Sequence, residues 1–516
     1  MVDSTAQNSY RGHGSLDSFS AVIKNVDGTR TIDITPYVLD LSIYEDIFSK
    51  TMFGAMSIKD SVNLMNGLTA STSSFKTFPI VGEEFVEFSY QVFSYPQVFR
   101  RFAVNAIKEI DINSAFTERS YIIEFCSEEY IYDATTLVQK SYNNLQISKM
   151  VEDVLKNYLY VDKTLPNGKK AKTYDIQTTK GPQNIVVPKL SPLETLDFFS
   201  RRSVAQNVFQ SATYHFFENK DGFNFCDIEY LIQRGKKKYA SNPVQYQYYY
   251  SNVNLQPNAG TTQQVQDDSK TFKTLIGLKQ KHKFDTIEKI RNGYFESDAL
   301  VYDINARKLI PNTFKFVDNY TNLNTLGAGG SANSATASVS ETSYPENSLD
   351  FIKNVTANAQ SSSVASGILG LFGLMSNKPN TGRHTKTFFI VKDSTAPDTF
   401  LEQIYMNRAS YMTRLAQNMF TAEVYGDSNI GAGDVITIDL PEITGMSKSK
   451  TDFDTFLSGY FLVTSIHHMI TPETYRCRYD LFKNGFSRPV ITTDSTAVPD
   501  PSNSAYLNNI ANTAGT

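Results

Sequence analysis

Apolar residues recur at every second position in short runs across residues 18–126, and a chain written that way must bury one face of a pleated sheet. Val86, Phe88, Tyr90 and Val92 share one side while Glu87, Ser89 and Gln91 share the other. Runs of the same kind lie at Ser20–Lys24, Leu39–Ile43, Phe53–Ile58, Phe102–Ile107 and Tyr121–Phe125. They predict a small antiparallel barrel or sandwich, with Asp60–Gly67 as a helical turn closed by glycine. The aromatic inventory agrees: 30 Tyr and 35 Phe with no Trp suit half-buried pleated surfaces better than helix bundles. At 516 residues the chain needs several cores.

The period changes over 127–212, which reads as an α/β insertion. Ser148 is placed to cap a helix through Met150, Val151, Val154, Leu155 and Tyr158. Ser191 and Glu194 have capping-box spacing and Pro192 stands where a missing N–H costs nothing. A helix of about four turns should follow, buried through Leu193, Leu196, Phe199 and Val204. Residues 213–232 then read as a hairpin, strands Thr213–Glu218 and Phe223–Ile232, turning through Asn219–Gly222 with Gly222 at positive φ.

Residues 233–321 are expected to continue the insertion, with a strand at Val244–Tyr250. Residues 322–382 are mostly small and polar, too poor in apolar surface to offset their ordering entropy. The apolar run Ile368–Met375 inside them reads as either a small local core or a docking patch. Residues 383–487 predict a helix through Leu401, Ile404, Tyr411 and Leu415, followed by strands at Thr421–Tyr425, Gly431–Leu440, Gly459–Ile466 and Thr474–Phe482. A turn is expected at Gly426–Asp427, with Gly431, Gly433 and Asp434 singled out as structural-motif residues opening the strand that follows, before a polar tail over 488–516.

The chemistry of an enzyme is hard to find in these residues. There is no Walker loop, no His-Glu-x-x-His and no cysteine pair at zinc spacing, so no catalytic, cofactor or metal residues are assigned. His467 and His468 are neighbours on a strand and point to opposite faces, which unsuits them for one metal. Ser447 and Lys450 have the spacing of a nucleophile pair but lie in a polar loop. Gly327–Gly330 is not placed between a strand and a helix. The acidic pairs Glu83–Glu84 and Glu128–Glu129 carry no information on carboxylate separation.

Cys126, Cys226 and Cys477 are an odd number, each in a strand-like run, and are expected to be buried thiols in a reducing compartment. The basic run Arg234–Lys238 reads as a solvated strand end, and the net charge of −4 argues against specific nucleic-acid binding. The first residues lack the basic and apolar regions of a signal peptide, and no apolar stretch approaches the ~20 residues of a membrane span.

Ser191–Arg202 followed by Tyr214–Phe225 resembles the central module of baseplate hub proteins of contractile-tailed bacteriophages. Glu423–Asp427, Ile430–Ile436, Gly459–His468 and Tyr475–Gly485 are similar to the last barrel of that family, which includes phage tail protein D and the hub portion of type VI secretion spike proteins. The order of elements matches over most of 18–487, with 322–382 and the tail outside it. The resemblance implies a β-rich α+β fold with two tube-protein-like antiparallel β-barrels, at 18–126 and 383–487, the second including the hairpin 213–232, and an α/β insertion between them.

It also implies a homotrimer that adapts a hexameric tail tube to a threefold central spike. Tail tube protein, central spike protein and baseplate wedge proteins would be the partners, genomic DNA would meet the chain only in transit, and no cofactor is implied. The place would be the tail baseplate of the virion, assembled in the host cytoplasm. Two other readings stand beside it: a tail-associated cell-wall hydrolase with carboxylates drawn from distant segments, and a receptor-binding tail protein.

Overall fold

The alternation at Val86–Val92 becomes a strand, Phe85–Val92, and the computed structural model describes residues 14–66, 78–92, 95–115, 117–206, 211–250, 273–281, 286–294, 296–315, 326, 386–395, 397–415, 418–440 and 458–484. The fold is β-rich α+β. Strands β1 (Leu16–Lys24), β2 (Thr31–Asp33), β3 (Val38–Asp46), β4 (Phe53–Asp60), β5 (Phe85–Val92), β6 (Val98–Ile112) and β7 (Arg119–Cys126) form one sheet in the order β3-β4-β7-β6-β5-β1-β2. Their inward residues, among them Ile23, Ile43, Met56, Val86, Phe88, Ile123 and Phe125, are fully buried. A 3-10 turn at Leu64–Asn66 stands where a helical turn was expected, and Gly67 lies outside the described residues.

The second part of the sheet closes on itself. Strands β13 (Gln247–Tyr250), β14 (Thr274–Gln280), β18 (Met419–Tyr425), β19 (Val435–Asp439), β20 (Gly459–Ile470) and β21 (Tyr475–Phe482) run β19-β13-β14-β18-β21-β20, and β20 pairs back onto β19. Closure leaves no free strand edge within the ring. One edge of β20 serves two partners in turn: residues 459–462 pair with β19, and residues 465–470 pair with β3 of the first sheet. A register shift against β21 between Val463 and Ser465 falls at the changeover. One apolar core therefore runs through both parts, from Ile23 and Phe125 to Ile436 and Tyr479. The start of β1 also returns to the turn between β20 and β21, with Leu16 N–H donating to Glu473 O at 3.0 Å and Tyr475 N–H to Gly14 O at 2.7 Å.

The insertion has its own core. It comprises α1 (Glu128–Thr135), β8 (Val138–Leu145), α2 (Ile147–Asn157), β9 (Tyr174–Ile176), β10 (Gln183–Leu190), α3 (Pro192–Ser200) and the hairpin β11 (Tyr214–Asn219) and β12 (Gly222–Asp227). Helix α2 starts after Gln146 rather than at Ser148, whose N–H is bound instead by the Thr179 hydroxyl. Helix α3 ends at Ser200, well short of four turns, and Ser200 and Ser203 turn their hydroxyls back onto the carbonyls of Asp197 and Phe199.

Three expectations about organisation are corrected. The hairpin at 213–232 pairs with β9 in a separate three-stranded sheet and lends no strand to the ring. Its second strand stops at Asp227, which accepts the Tyr230 N–H and starts α4 (Ile228–Ser241). Residues 233–321 are not one continuation of the insertion: after the short α5 (Pro243–Tyr246), β13 and β14 are ring strands. In 383–487, β17 (Lys386–Lys392) pairs with β15 (Glu296–Asp303) rather than with the ring. Together with β16 (Lys308–Lys315) it makes a three-stranded sheet, while α6 (Thr286–Arg291) precedes β15 and α7 (Leu401–Leu415) covers one face. Apart from Leu326, residues 322–382 lie outside the described residues, as do 1–13, Ser447, Lys450 and the tail 488–516. Leu326 itself is buried in a core with Leu415 and Phe482. Among the described residues no helix is long and apolar enough to cross a membrane.

Candidate functional site

Where β20 changes partner, the loop Ile430–Asp434 between β18 and β19 is tied to four other elements. Asp434 closes the loop on itself: its Oδ2 accepts the Gly431 N–H at 3.0 Å and its own N–H donates to Gly431 O at 3.1 Å. Gly433, at φ +90°, donates to Val463 O at 2.8 Å, and Val463 N–H donates to Asp434 O at 2.8 Å. Between them Ala432 donates its N–H to Glu45 Oε2 of β3 at 3.0 Å and accepts from Asn219 Nδ2 at the hairpin tip at 2.8 Å. Lys238 of α4 completes the set, with Nζ 2.8 Å from Asp434 Oδ1. Four of the residues singled out in the sequence, Asn219, Gly431, Gly433 and Asp434, thus meet at one seam.

Glu45 carries the seam further. Its Oε1 is 3.6 Å from Nε2 of His468 on β20, whose Nδ1 lies 2.7 Å from the Tyr475 hydroxyl and 3.4 Å from Cys477 Sγ. Burial alone would raise the Glu45 carboxyl, but the His468 hydrogen bond and charge outweigh it and hold the group below its ordinary value. Burial likewise works against the His468 cation, yet Cys477 and Glu45 outweigh it and raise the ring to about 9. The order thiol, imidazole, carboxylate is that of a nucleophile with its base and orienting group. Cys477 has 0 % exposure and His468 4 %, however, so the arrangement as it stands ties strands together and offers no surface to a substrate. His467 faces the other side, stacked on Tyr44 at 4.3 Å between ring centres.

The ring is filled rather than hollow. Asp427, fully buried, accepts from the Tyr248 hydroxyl at 2.8 Å and from Asn429 N–H at 2.9 Å and is ion-paired with Lys273. Tyr248 reaches the Tyr479 hydroxyl at 3.2 Å. Gly426 stands against Tyr475: a Cβ there would come within 2.0 Å of the ring.

Ser191, Pro192, Glu194 and Gly222 lie away from this seam and order the insertion. The capping box forms, Glu194 N–H to Ser191 Oγ and Ser191 N–H to Glu194 Oε2, each at 3.3 Å, with Pro192 in the first turn. Gly222 turns the hairpin at φ +125°.

A second buried polar cluster, which the sequence reading passed over, fastens the insertion to the first sheet. Glu218 of β11 accepts the Met52 N–H at 3.0 Å and the Ser127 hydroxyl. Lys172 lies 2.8 Å from Glu218 and 2.6 Å from Glu129, and Lys169 lies 3.3 Å from Glu129. Burial works to raise Glu129, and the two lysines overcome it and lower it. Burial, then the nearby Glu218, pushes the Cys126 thiol up to about 12. The three cysteines are free and buried, as their strand-like surroundings implied.

The signal for the second cluster was Glu128–Glu129, two carboxylates opening a helix where both are buried. The signal for the first was the basic run, which is not a strand end: it lies on α4, with Arg234 2.8 Å from Asp175 and Lys238 on Asp434.

No family model matches the chain, and no curated protein matches it. Solved structures do. The chain is similar to the tail protein from Neisseria meningitidis MC58, at 9 % identity over 92 % of this chain and 98 % of that one, TM-score 0.46. It is similar to the 43 kDa tail protein of prophage MuSo2 from Shewanella oneidensis, at 7 % identity over 90 % and 99 %, TM-score 0.47. It is also similar to the E. coli c3393 protein, a component of the type VI secretion system, at 7 % identity over 88 % and 76 %, TM-score 0.36.

Proposed function

We propose that the chain is a structural, non-enzymatic hub of a contractile phage tail, three copies of which adapt a sixfold tail tube to a threefold spike. The observation that carries this is the sharing of β20. A closed six-stranded ring and the sheet β1–β7 hang on the same strand. With the first sheet curling back to Gly14 and Leu16 on the β20–β21 turn, each chain presents two tube-like units, and three chains present six. The motifs that resemble hub proteins, Gly459–His468 and Ile430–Ile436, are the segments that build the shared strand and its seam.

A filled ring interior has a consequence for DNA. Tyr248, Tyr479 and Asp427 occupy it, so DNA would pass through the space enclosed by the assembled copies, and a net charge of −4 suits a wall that must not hold phosphates. The tube protein, the central spike and the wedge proteins are the partners of this reading, and the tail baseplate of the virion is its place. Co-expression with the neighbouring tube and spike genes, with mass read by light scattering, is the test. Complexes containing three copies of the 57.9 kDa chain are expected. A strict monomer that ignores both partners would overturn the proposal.

A further inference from the structure

Lys273 and Asp427 stand 154 residues apart in the chain and meet inside the ring, 5 % and 0 % exposed. Lys273 directly precedes β14, and Asp427 follows β18, the strand paired with it. Between those two strands the chain leaves the ring to build the sheet β16-β15-β17 and α7, so the pair sits at the base of that excursion.

The surroundings of the pair suit more than an ion pair. Lys172 and Lys238 keep part of their surface in water, and Lys169 shares Glu129 with Lys172, whereas Lys273 and Asp427 are both shut in with one partner of opposite charge. Asp427 is held by the backbone on either side, Gly426 N–H donating to Tyr475 O at 2.9 Å and Asn429 N–H to Asp427 Oδ1 at 2.9 Å. Its Oδ2 accepts from the Tyr248 hydroxyl at 2.8 Å and from Lys273 Nζ, which also donates to Gln245 O at 2.6 Å. An apolar interior disfavours both ions, and shifting one proton from the ammonium to the carboxylate leaves a neutral amine against a neutral acid. Nζ then touches the oxygen bonded to the carbon it can attack, and holding two reactants so removes the entropic part of the barrier.

We propose that Lys273 and Asp427 condense to an isopeptide bond from Nζ to Cγ. The Nζ lone pair adds to Cγ, and the charge that develops on Oδ1 is met by the Asn429 N–H. Tyr248 passes its hydroxyl proton to Oδ2 and takes one back from Nζ. Oδ2 leaves as water when the C–O bond breaks, and Nζ keeps one hydrogen, which Gln245 O accepts. The ammonium's three hydrogens end as two on water and one on the amide, and nothing is oxidised or reduced. Burial and the Asp427 charge raise Tyr248 well above its ordinary value, so the phenol holds its proton until Oδ2 departs. The bond ties the ring at the base of the excursion whether or not the hub reading holds, and it constrains the unfolded chain as any long-loop crosslink does.

Peptide mass spectrometry of the trypsin-digested full chain tests this. Trypsin cuts after a free lysine only, so closure keeps residues 271–279 in one piece and joins them to residues 415–448, lighter by one water than the two peptides together. That branched peptide is expected. Cleavage after Lys273 with residues 415–448 at full mass would mean a plain ion pair, and a lost water confined to 415–448 would mean a cyclic imide at Asp427; either overturns the proposal. Followed after a pulse of synthesis, the branched peptide should accumulate about a hundredfold more slowly in Tyr248→Phe. An unchanged rate would overturn the proton path through Tyr248.

Discussion

Glu45 on β3 and His468 on β20 face each other at 3.6 Å in the interior of the seam, with the other Glu45 oxygen holding Ala432 N–H at 3.0 Å. One carboxylate thus joins the first sheet, the ring and the loop Ile430–Asp434. Because both groups are buried, each is costly alone and stable together with its partner.

This pair makes stability depend on pH in a definite direction. His468 is raised to about 9 from an ordinary 6.5, so its contribution is complete below pH 6.5 and is lost as pH climbs through 9. Glu45 is held below its ordinary 4.5, so its contribution is complete above that value and is lost on acidification beneath it. The pair stabilises most between about pH 4.5 and 6.5, and the alkaline loss is on the order of 3 kcal/mol. Glu45→Gln keeps an acceptor for Ala432 but loses the charge, and should flatten the decline between pH 6.5 and 9 in urea titrations. An unchanged slope would remove Glu45 as a cause of the raised His468.

The hairpin turn is the place where backbone geometry is least forgiving. Gly222 combines φ +125° with an approach in which a Cβ would stand 2.2 Å from Thr173 O. Gly222→Val should cost about 3 kcal/mol or more, or prevent soluble expression, since it adds strain and parts β12 from β9. Gly222→Ala should be milder but still destabilising in thermal unfolding. A fully stable valine variant would refute the turn geometry.

The strands were legible in the sequence where one face meets water. Val86–Val92 alternate because one side of β5 is core and the other is not, and for the same reason the runs Phe53–Ile58 and Tyr121–Phe125 fall within β4 and β7, which extend beyond them. The hairpin was legible as a hairpin, yet Asp227, a helix cap in a run of apolar residues, passed for one more strand position. Which strands share a sheet was not legible. Only pairing between residues far apart in the chain, Gln247 with Thr437, Leu275 with Val424 and Ser297 with Lys386, sends β13 and β14 to the ring and β17 elsewhere.

The seam illustrates the same limit. Gly431, Gly433 and Asp434 stood at the head of an expected strand that in fact starts only at Val435, and the alternation that sends His467 and His468 to opposite faces could not say that Glu45 would meet His468 or that Lys238 would lie part-covered over Asp434.

The clamp on the insertion should respond asymmetrically to its two partners. Lys172→Met leaves Glu218 and Glu129 facing each other in the interior, with only Lys169 left near Glu129, and should destabilise by about 3–5 kcal/mol. Lys172→Met with Glu218→Gln removes one charge of each sign and should recover part of that loss. Denaturant midpoints measure both. A double variant no better than the single one would mean that the three groups do not act as one network.

Asp434 supports the seam in two ways that can be separated. Its backbone-facing oxygen closes the loop on Gly431, and its other oxygen meets Lys238, which is about a third exposed. Asp434→Asn keeps an acceptor for the loop and weakens the ion pair, while Asp434→Ala removes both. The alanine variant should lose about 2–3 kcal/mol and the asparagine variant about 1, because a part-exposed lysine contributes little beyond solvent-screened attraction. Combining each with Lys238→Met isolates the pair, and a coupling of about 0.5–1 kcal/mol is expected for the alanine cycle. If asparagine proves as damaging as alanine, the charge rather than the loop closure holds Gly431–Asp434 against β20.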